Sequence, residues 1–325
     1  MYRLGLFILC TWMVISCGEE KKEPIDKELT TINDENVKLN ETALVILGTV
    51  QDAGSPQIGC PKPCCMDLDE LESTKRKVSA LGIIDSDQNK KYLIDATPDI
   101  VAQVQQLNYY SDSASLPDAI FLTHAHIGHY TGLMYLGKEA INSHKTKVFG
   151  MPRMNIFLSN NGPWDQLVSN KNIELHGLVN KDTVFLSEQL QIVPFLVPHR
   201  DEYSETVGYK IIGPNRKALY IPDVDKWKKW NKNLSNEIKQ VDFVLIDGTF
   251  YDGEEIGNRD LSEIPHPFVI ETMGMLKHLS QKEKNKVYFI HFNHTNPLLD
   301  PNSQATKNVL LNGYHIAETN KVIPL

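Results

Sequence analysis

The chain contains the stretch Phe121-Leu-Thr-His-Ala-His-Ile-Gly-His-Tyr-Thr-Gly-Leu133, in which His124, His126 and His129 fall within six residues. An apolar run over residues 118–122 predicts a buried strand that ends in the histidine loop. Neutral imidazole nitrogen is a good ligand for zinc and iron, so a strand end that carries several imidazoles suits a transition metal. The stretch therefore predicts a metal site at the end of a strand.

Four further ionisable residues directly follow apolar runs that are typical of strands. They are His199, Asp223, Asp247 and His291. Strand ends that converge at one edge of a sheet assemble a site from residues distant in sequence. A single histidine after a strand is usually a satisfied polar residue, but the combined order of these residues favours one shared site.

Short apolar runs recur along the chain, and helical segments lie between several of them. Residues 190–197 and 217–221 are among the predicted strands, whereas residues 97–107 and 267–279 are predicted helices. This mixture predicts a layered α/β or α+β fold. No linker divides residues 42–325, which are predicted to form a single domain.

Composition narrows the class of partner. The chain has 325 residues, of which 41% are hydrophobic, and a formal net charge of −8. The apolar fraction is sufficient for a sizeable core. The negative charge argues against a nucleic-acid partner held by phosphate neutralisation, which needs a basic surface. The expected partner is a small-molecule substrate, with no nucleic acid.

The N-terminus has the features of an export signal. A basic start, Met1-Tyr-Arg3, precedes an apolar run over residues 4–16 that is too short to span a membrane comfortably. Cys17 follows a small residue, which resembles the bacterial lipobox and implies a signal peptide over residues 1–17 with a lipid on Cys17. An ordinary secretory signal and a chance apolar start are the alternatives. The charged residues 18–41 are predicted to be a flexible tether.

Lipidation of Cys17 would make the membrane a partner through the lipid anchor. The expected location is the cell envelope, on the periplasmic face or the outer surface of the outer membrane.

Cys60, Cys64 and Cys65 form a cluster with three possible roles. Three thiolates and one further ligand would hold a structural metal. Two of the cysteines would form a disulfide in an exported protein, although adjacent cysteines rarely pair with each other. Free thiols are the third alternative, and spacing alone leaves all three open.

The order of the histidines and Asp223 along the chain resembles the ligand motifs of the metallo-β-lactamase superfamily. The resemblance implies a four-layer αββα sandwich with the ligands at one edge of the sheets. It implies two metal sites that share a bridging carboxylate: His124, His126 and His199 for the first, His129 and His291 for the second, and Asp223 as the bridge. One or two zinc ions are the implied cofactor, with iron as the alternative.

Gly128 departs from the pattern of that superfamily, which is usually His-x-His-x-Asp-His. The missing aspartate commonly binds the second metal, so the second site is left with at most three protein ligands. His294 is a candidate to compensate, either at the metal or as a catalytic residue; a hydrogen-bonding role beyond the ligands is the alternative. Asp247 is a candidate acid or orienting residue.

Four stretches resemble a narrower family within that superfamily, the coenzyme PQQ (pyrroloquinoline quinone) biosynthesis protein B family, or PqqB. They are Asp95-Ala-Thr-Pro-Asp99, Leu245-Ile-Asp-Gly-Thr-Phe250, Ile290-His-Phe-Asn-His-Thr-Asn-Pro-Leu-Leu-Asp300 and Gly59-Cys-Pro-Lys-Pro-Cys-Cys65. The last of these lies where the family carries a cysteine-rich, zinc-binding loop. The resemblance covers nearly all of residues 42–325 and implies shared ancestry and fold.

These observations support three hypotheses about function. The first is an envelope-anchored metallo-hydrolase, in which hydroxide held by the metal attacks an ester, lactone, amide or phosphodiester. The second is a mononuclear iron oxygenase of the PqqB type that hydroxylates a tyrosine-containing peptide or PQQ precursor, which the loss of a carboxylate at Gly128 favours. The third is a non-catalytic binding lipoprotein, against which the retained histidines argue.

Overall fold

Two seven-stranded β-sheets organise the residues that the computed structural model describes, which are 38–112, 114–257, 260 and 264–325. In chain order the strands are β1 (Ala43–Gly48), β2 (Ala80–Asp85), β3 (Lys90–Ile94), β4 (Ala119–Phe121), β5 (Thr146–Gly150), β6 (Ile173–Gly177), β7 (Val184–Phe185), β8 (Gln191–Leu196), β9 (Val207–Ile212), β10 (Lys217–Ile221), β11 (Phe243–Asp247), β12 (Val287–Ile290), β13 (His315–Ile316) and β14 (Val322–Pro324). The first sheet has the order β14-β1-β2-β3-β4-β5-β6, and the second has the order β13-β12-β11-β10-β9-β8-β7.

The helices are short. In chain order the α-helices are α1 (Pro63–Met66), α2 (Glu70–Lys75), α3 (Ile100–Tyr109), α4 (Ile127–Tyr130), α5 (Pro152–Asn160), α6 (Trp164–Ser169), α7 (Leu234–Lys239), α8 (Val269–Met275), α9 (Gln281–Lys284) and α10 (Gln304–Leu311). Short 3-10 helices occupy Thr131–Leu136, Trp227–Lys229, Gly253–Ile256 and Pro297–Leu299.

The strands bury apolar side chains on both faces, which explains why they are nearly continuous apolar runs. Leu44 and Ile46 of β1 pack with Tyr209 between the two sheets. Val45 and Leu47, on the opposite face of β1, pack in the cluster that includes α3, α5 and α6. The outer face of the second sheet packs in the same way on α7, α8 and α10. The predicted αββα sandwich is therefore confirmed.

Strand direction brings several strand ends to one edge. In the first sheet β3, β4 and β5 are parallel, and in the second β10, β11 and β12 are parallel. β8 is antiparallel to β9, which is antiparallel to β10, so β8 runs in the same direction as β10. Loops at the carboxyl ends of parallel strands are where α/β proteins build sites.

The folded domain begins a few residues before the predicted boundary at 42. Leu39 packs on the outer cluster of the first sheet, and its backbone N–H donates to the carbonyl of Tyr110 at 3.3 Å. The predicted signal peptide, its Cys17 and most of the predicted tether lie outside the described residues. Among the described residues, no helix has the length and apolar character needed to cross a bilayer.

Candidate metal centre

The loops at this edge carry the ionisable residues that the sequence analysis singled out. The histidine stretch follows β4, and Asp247 is the last residue of β11. His199, Asp223 and His291 follow β8, β10 and β12. The side chains of the predicted metal ligands form two groups, and Asp223 belongs to both.

The first group consists of His124, His126, His199 and Asp223. Nε2 of His124 lies 3.3 Å from Oδ2 of Asp223, and Nε2 of His199 lies 3.2 Å from Oδ1. Nδ1 of His126 lies 3.3 Å from Nε2 of His199, while its Nε2 faces the half-exposed carboxylate of Glu202 at 3.2 Å. The group matches the first-metal ligand set that the family resemblance implies, with the shared aspartate added.

The second group contains a ligand candidate that the sequence analysis missed. His129, His291 and Asp223 are joined by Asp52, from the loop after β1. Oδ1 of Asp52 lies 3.0 Å from Nε2 of His129 and 3.6 Å from Nε2 of His291. Oδ2 of Asp223 lies 3.7 Å from the same two nitrogens. Asp52 therefore adds a fourth candidate ligand to the second group, where the sequence analysis expected at most three.

Buried polar atoms without hydrogen-bond partners indicate whether these residues fit a metal ion, because a bound ion would satisfy them. Among the described residues, five candidate ligand atoms are buried and have no hydrogen-bond partner: Nε2 of His124, His129 and His291, and Oδ1 of Asp52 and Asp223. A buried polar atom left unpaired costs about 1–3 kcal/mol. Imidazole and carboxylate form the donor set that zinc and iron take in proteins. The residues therefore fit one or two metal ions.

Outer partners orient the imidazoles toward the centre. Nδ1 of His129 lies 2.8 Å from Oδ2 of buried Asp95, which also accepts a hydrogen bond from the hydroxyl of Thr123 at 3.0 Å. Nδ1 of His291 lies 3.0 Å from Oγ1 of Thr249. A metal-binding histidine commonly donates its other N–H in this way, which fixes the tautomer and the ring orientation. Asp95 directly follows β3, so the strand-end pattern was the signal for it.

Electrostatics at the centre favour bound cations. Burial lowers the pKa of His199 to about 4, so its ring is neutral and has a lone pair to share. Burial also lowers the pKa of His129, but the carboxylates of Asp95 and Asp52 outweigh burial and raise that pKa well above its ordinary value. The space between the two carboxylates thus favours positive charge, which a divalent cation would supply.

His266 is a second site residue that the sequence analysis missed. Its Nδ1 lies 2.9 Å from Oδ2 of Asp247 and 3.2 Å from Oδ1 of Asp223. Asp247 is fully buried and also accepts hydrogen bonds from the backbone N–H groups of Val224 at 3.1 Å and Thr249 at 2.9 Å. Of the two roles predicted for Asp247, the contacts favour orientation, because its carboxylate holds His266 against Asp223.

His294 lies with the cysteine cluster, where its ring completes a group with Cys60, Cys64 and Cys65. The prediction that it compensates at the second metal is therefore corrected. No disulfide joins the cysteines of the described domain, which argues against the disulfide alternative. Burial, followed by the adjacent Cys65, raises the pKa of Cys64 to about 11. A bound cation would favour the thiolate forms instead, and three cysteines with one histidine form a donor set that suits a structural zinc ion.

Cys64→Ser tests whether the cysteine cluster with His294 binds zinc. We expect the variant to lose about one zinc equivalent per chain and to unfold several degrees lower, because a structural zinc stabilises the folded state directly. Elemental analysis and thermal unfolding measure the two effects. His124→Ala is the matched control, since it should lower metal content without the same loss of thermal stability. Unchanged zinc content in the cysteine variant would leave the cluster as free thiols.

Comparison with known proteins agrees with the fold and the ligand order. A sequence profile described as a beta-lactamase superfamily domain matches residues 90–292. Coenzyme PQQ synthesis protein B of Acinetobacter baumannii is 26% identical over 302 residues, which cover 84% of this chain and 97% of that protein.

Two solved structures share the fold. The zinc-bound PqqB of Methylobacterium extorquens superposes with a TM-score of 0.72 at 22% identity, over 87% of this chain and 100% of that one. A diphosphatase of the PhnP family superposes with a TM-score of 0.64 at 20% identity, over 87% and 98% of the two chains. The matched profile spans more than half of the chain. This protein therefore belongs to the metallo-β-lactamase superfamily and is PqqB-like.

Proposed function

We propose that this protein is a hydrolase that works with two zinc ions held around Asp223. The observation that carries the proposal is the sharing of Asp223 between two ligand groups, in which five buried candidate ligand atoms have no hydrogen-bond partner among the described residues. Bound there, two divalent cations would lower the pKa of a water molecule and polarise the bond to be cleaved.

The protein's own residues would handle the proton that the leaving group needs. Asp247 holds Nδ1 of His266 at 2.9 Å. Burial lowers the pKa of His266, but Asp247 and Asp223 outweigh burial and raise it to about 9. The two carboxylates thus favour the protonated ring, which would donate its proton to the leaving group. General acid catalysis of this kind contributes about 10²–10⁴-fold to the rate.

A phosphodiester or diphosphate bond is the first substrate class to test. A proton donor beside the metals matters most when the leaving group is poorly acidic, as the alcohol released from a phosphodiester is. The diphosphatase that shares the fold supports the same choice. The same attack by metal-activated water would also cleave an ester, a lactone or an amide.

The position of Asp52 weakens the case for the oxygenase alternative. It rested on the carboxylate missing at Gly128, which would leave positions for oxygen open on a single iron. Asp52 brings a carboxylate to that place, as the 3.0 Å contact with Nε2 of His129 indicates. Oxygen consumption with Fe(II) and a tyrosine-containing peptide is the measurement that would restore this alternative.

The test is purified protein reconstituted in turn with Zn(II), Mn(II) and Fe(II). The substrates are bis(p-nitrophenyl) phosphate, a dinucleoside diphosphate, p-nitrophenyl acetate, a lactone and a peptide amide. We expect turnover of a phosphate substrate that a chelator abolishes and added metal restores. Failure with every substrate and every metal would overturn the proposal.

We also propose that a lipid on Cys17 holds the protein at the cell envelope. The support is the sequence pattern at the N-terminus, because Cys17 lies outside the described residues. The wild-type protein is expected in the membrane fraction and to incorporate labelled fatty acid. Cys17→Ser should abolish the label and release the protein from the membrane. Equal labelling of the two proteins would contradict lipidation at this cysteine.

A further inference from the structure

Gly128 and Asp52 compete for the same space. A β-carbon added to Gly128 would lie 2.3 Å from Oδ1 of Asp52 and 2.7 Å from its Cα. Both distances are far below an ordinary van der Waals contact, so the present position of Asp52 requires glycine at 128. The absence of an aspartate at 128 is therefore coupled to the presence of one at 52.

The carboxylate of Asp52 faces the Nε2 atoms of two histidines whose Nδ1 atoms already have other partners. His129 directs Nδ1 to Asp95 at 2.8 Å, and His291 directs Nδ1 to Thr249 at 3.0 Å. When each ring is neutral with its proton on Nδ1, as a metal ligand must be, its Nε2 presents a lone pair toward Oδ1 of Asp52. Lone pairs and a carboxylate repel one another unless a cation lies between them. The geometry is thus that of a metal ligand set.

The turn that carries Asp52 is fixed by the backbone beside His291. The N–H of Gln51 donates to the carbonyl of Phe292 at 2.8 Å, and the N–H of Phe292 donates to the carbonyl of Thr49 at 2.8 Å. Gly54 closes the turn with a φ of +74°, a left-handed conformation that favours glycine. Only 11% of the Asp52 side chain is exposed. The carboxylate is therefore held in place before any ligand binds, as a precise metal site requires.

We propose that Asp52 is the second-metal carboxylate ligand of this protein and replaces, from another segment, the aspartate that the superfamily usually carries at position 128. Gly128 is the residue that makes room for it. The inference rests on the two-metal centre of the proposed function but not on the reaction. The alternative is that Asp52 forms only an ion pair with protonated His129.

Asp52→Asn is the first test, because it keeps the size of the side chain and removes its charge. We expect the variant to bind one metal ion fewer per chain than the wild type, or to bind its second active-site ion at least tenfold more weakly. Elemental analysis after dialysis and calorimetric titration with Zn(II) measure the two quantities. Asp87→Asn, in the exposed turn between β2 and β3, is the matched control and should bind as the wild type does.

A swap of the two positions is the second test. Gly128→Asp alone should displace the Asp52 side chain and weaken second-metal binding, although no ligand is removed. Asp52→Gly should lose the second ion, and the double variant Asp52→Gly/Gly128→Asp should regain it. The turn must move slightly in the double variant, because Cα of residue 52 stays 2.7 Å from the new β-carbon. If that variant does not fold, Asp52→Asn alone decides.

The outcomes separate this inference from the proposed function. Wild-type metal binding by Asp52→Asn would overturn the role of Asp52 and leave the hydrolase proposal standing. A wild-type protein that binds two ions at the centre and hydrolyses nothing would overturn the hydrolase proposal and leave Asp52 as a ligand. A wild-type centre that binds only one ion would overturn the inference outright.

Discussion

Asp223→Asn is expected to lower kcat/KM for the best phosphate substrate by at least about 10³-fold and to weaken binding of both active-site metals. The carboxylate belongs to both ligand groups, so a single substitution affects two ions. Its pKa is lowered well below the ordinary value, because the surrounding imidazoles, His199 first, outweigh the opposing effect of burial. Steady-state kinetics and metal content per chain measure the result.

Two comparisons make the Asp223 result specific. His124→Ala removes a residue of the first group alone and should weaken one ion more than the other. Asp182→Asn changes an exposed carboxylate that belongs to neither ligand group and should leave kinetics and metal content as in the wild type. An Asp223→Asn protein that keeps both metals and more than about a tenth of the activity would contradict a bridging role.

The fold was predictable because its strands carry an unusually clear signal. Runs such as Leu219-Tyr-Ile221 are apolar at successive positions since both faces of their sheet are covered, one by the other sheet and one by helices. β6, of five residues, and β13 and β14, of two and three residues, were not predicted. Such short strands owe their structure to pairing with neighbours that are distant in sequence.

The site was predictable where ligands directly follow strands. Asp52 was missed because an aspartate in a loop rich in glycine and proline is usually a solvated turn residue. Its role depends on the space at Gly128, which only the folded structure reveals. His266 follows no strand, so nothing in the local pattern distinguished it. His294 was misassigned because its closeness to His291 in sequence was taken as closeness in space.

His266→Asn is expected to lower kcat by about 10²–10⁴-fold while leaving the active-site metals bound. The ring contacts Asp223, Asp247 and the hydroxyl of Thr249, which fits a proton donor beside the centre. Loss of a proton donor should matter less when the leaving group is already acidic. The variant should therefore retain more activity on p-nitrophenyl esters of phosphate than on alkyl esters, and kinetics on the two series measure this.

The pH dependence gives an independent check on the same residue. A general acid must be protonated to act, so wild-type kcat should fall as pH rises through the pKa of His266. Asp247 and Asp223 raise that pKa to about 9, and bound cations would bring it down toward neutrality. His266→Asn should lose this alkaline decline, and Asp247→Asn should shift it to lower pH because one of the two stabilising carboxylates is gone. Two results together would show that His266 does not supply the proton. His266→Asn would lose the same fraction of activity on p-nitrophenyl and alkyl esters, and its kcat would still decline at alkaline pH.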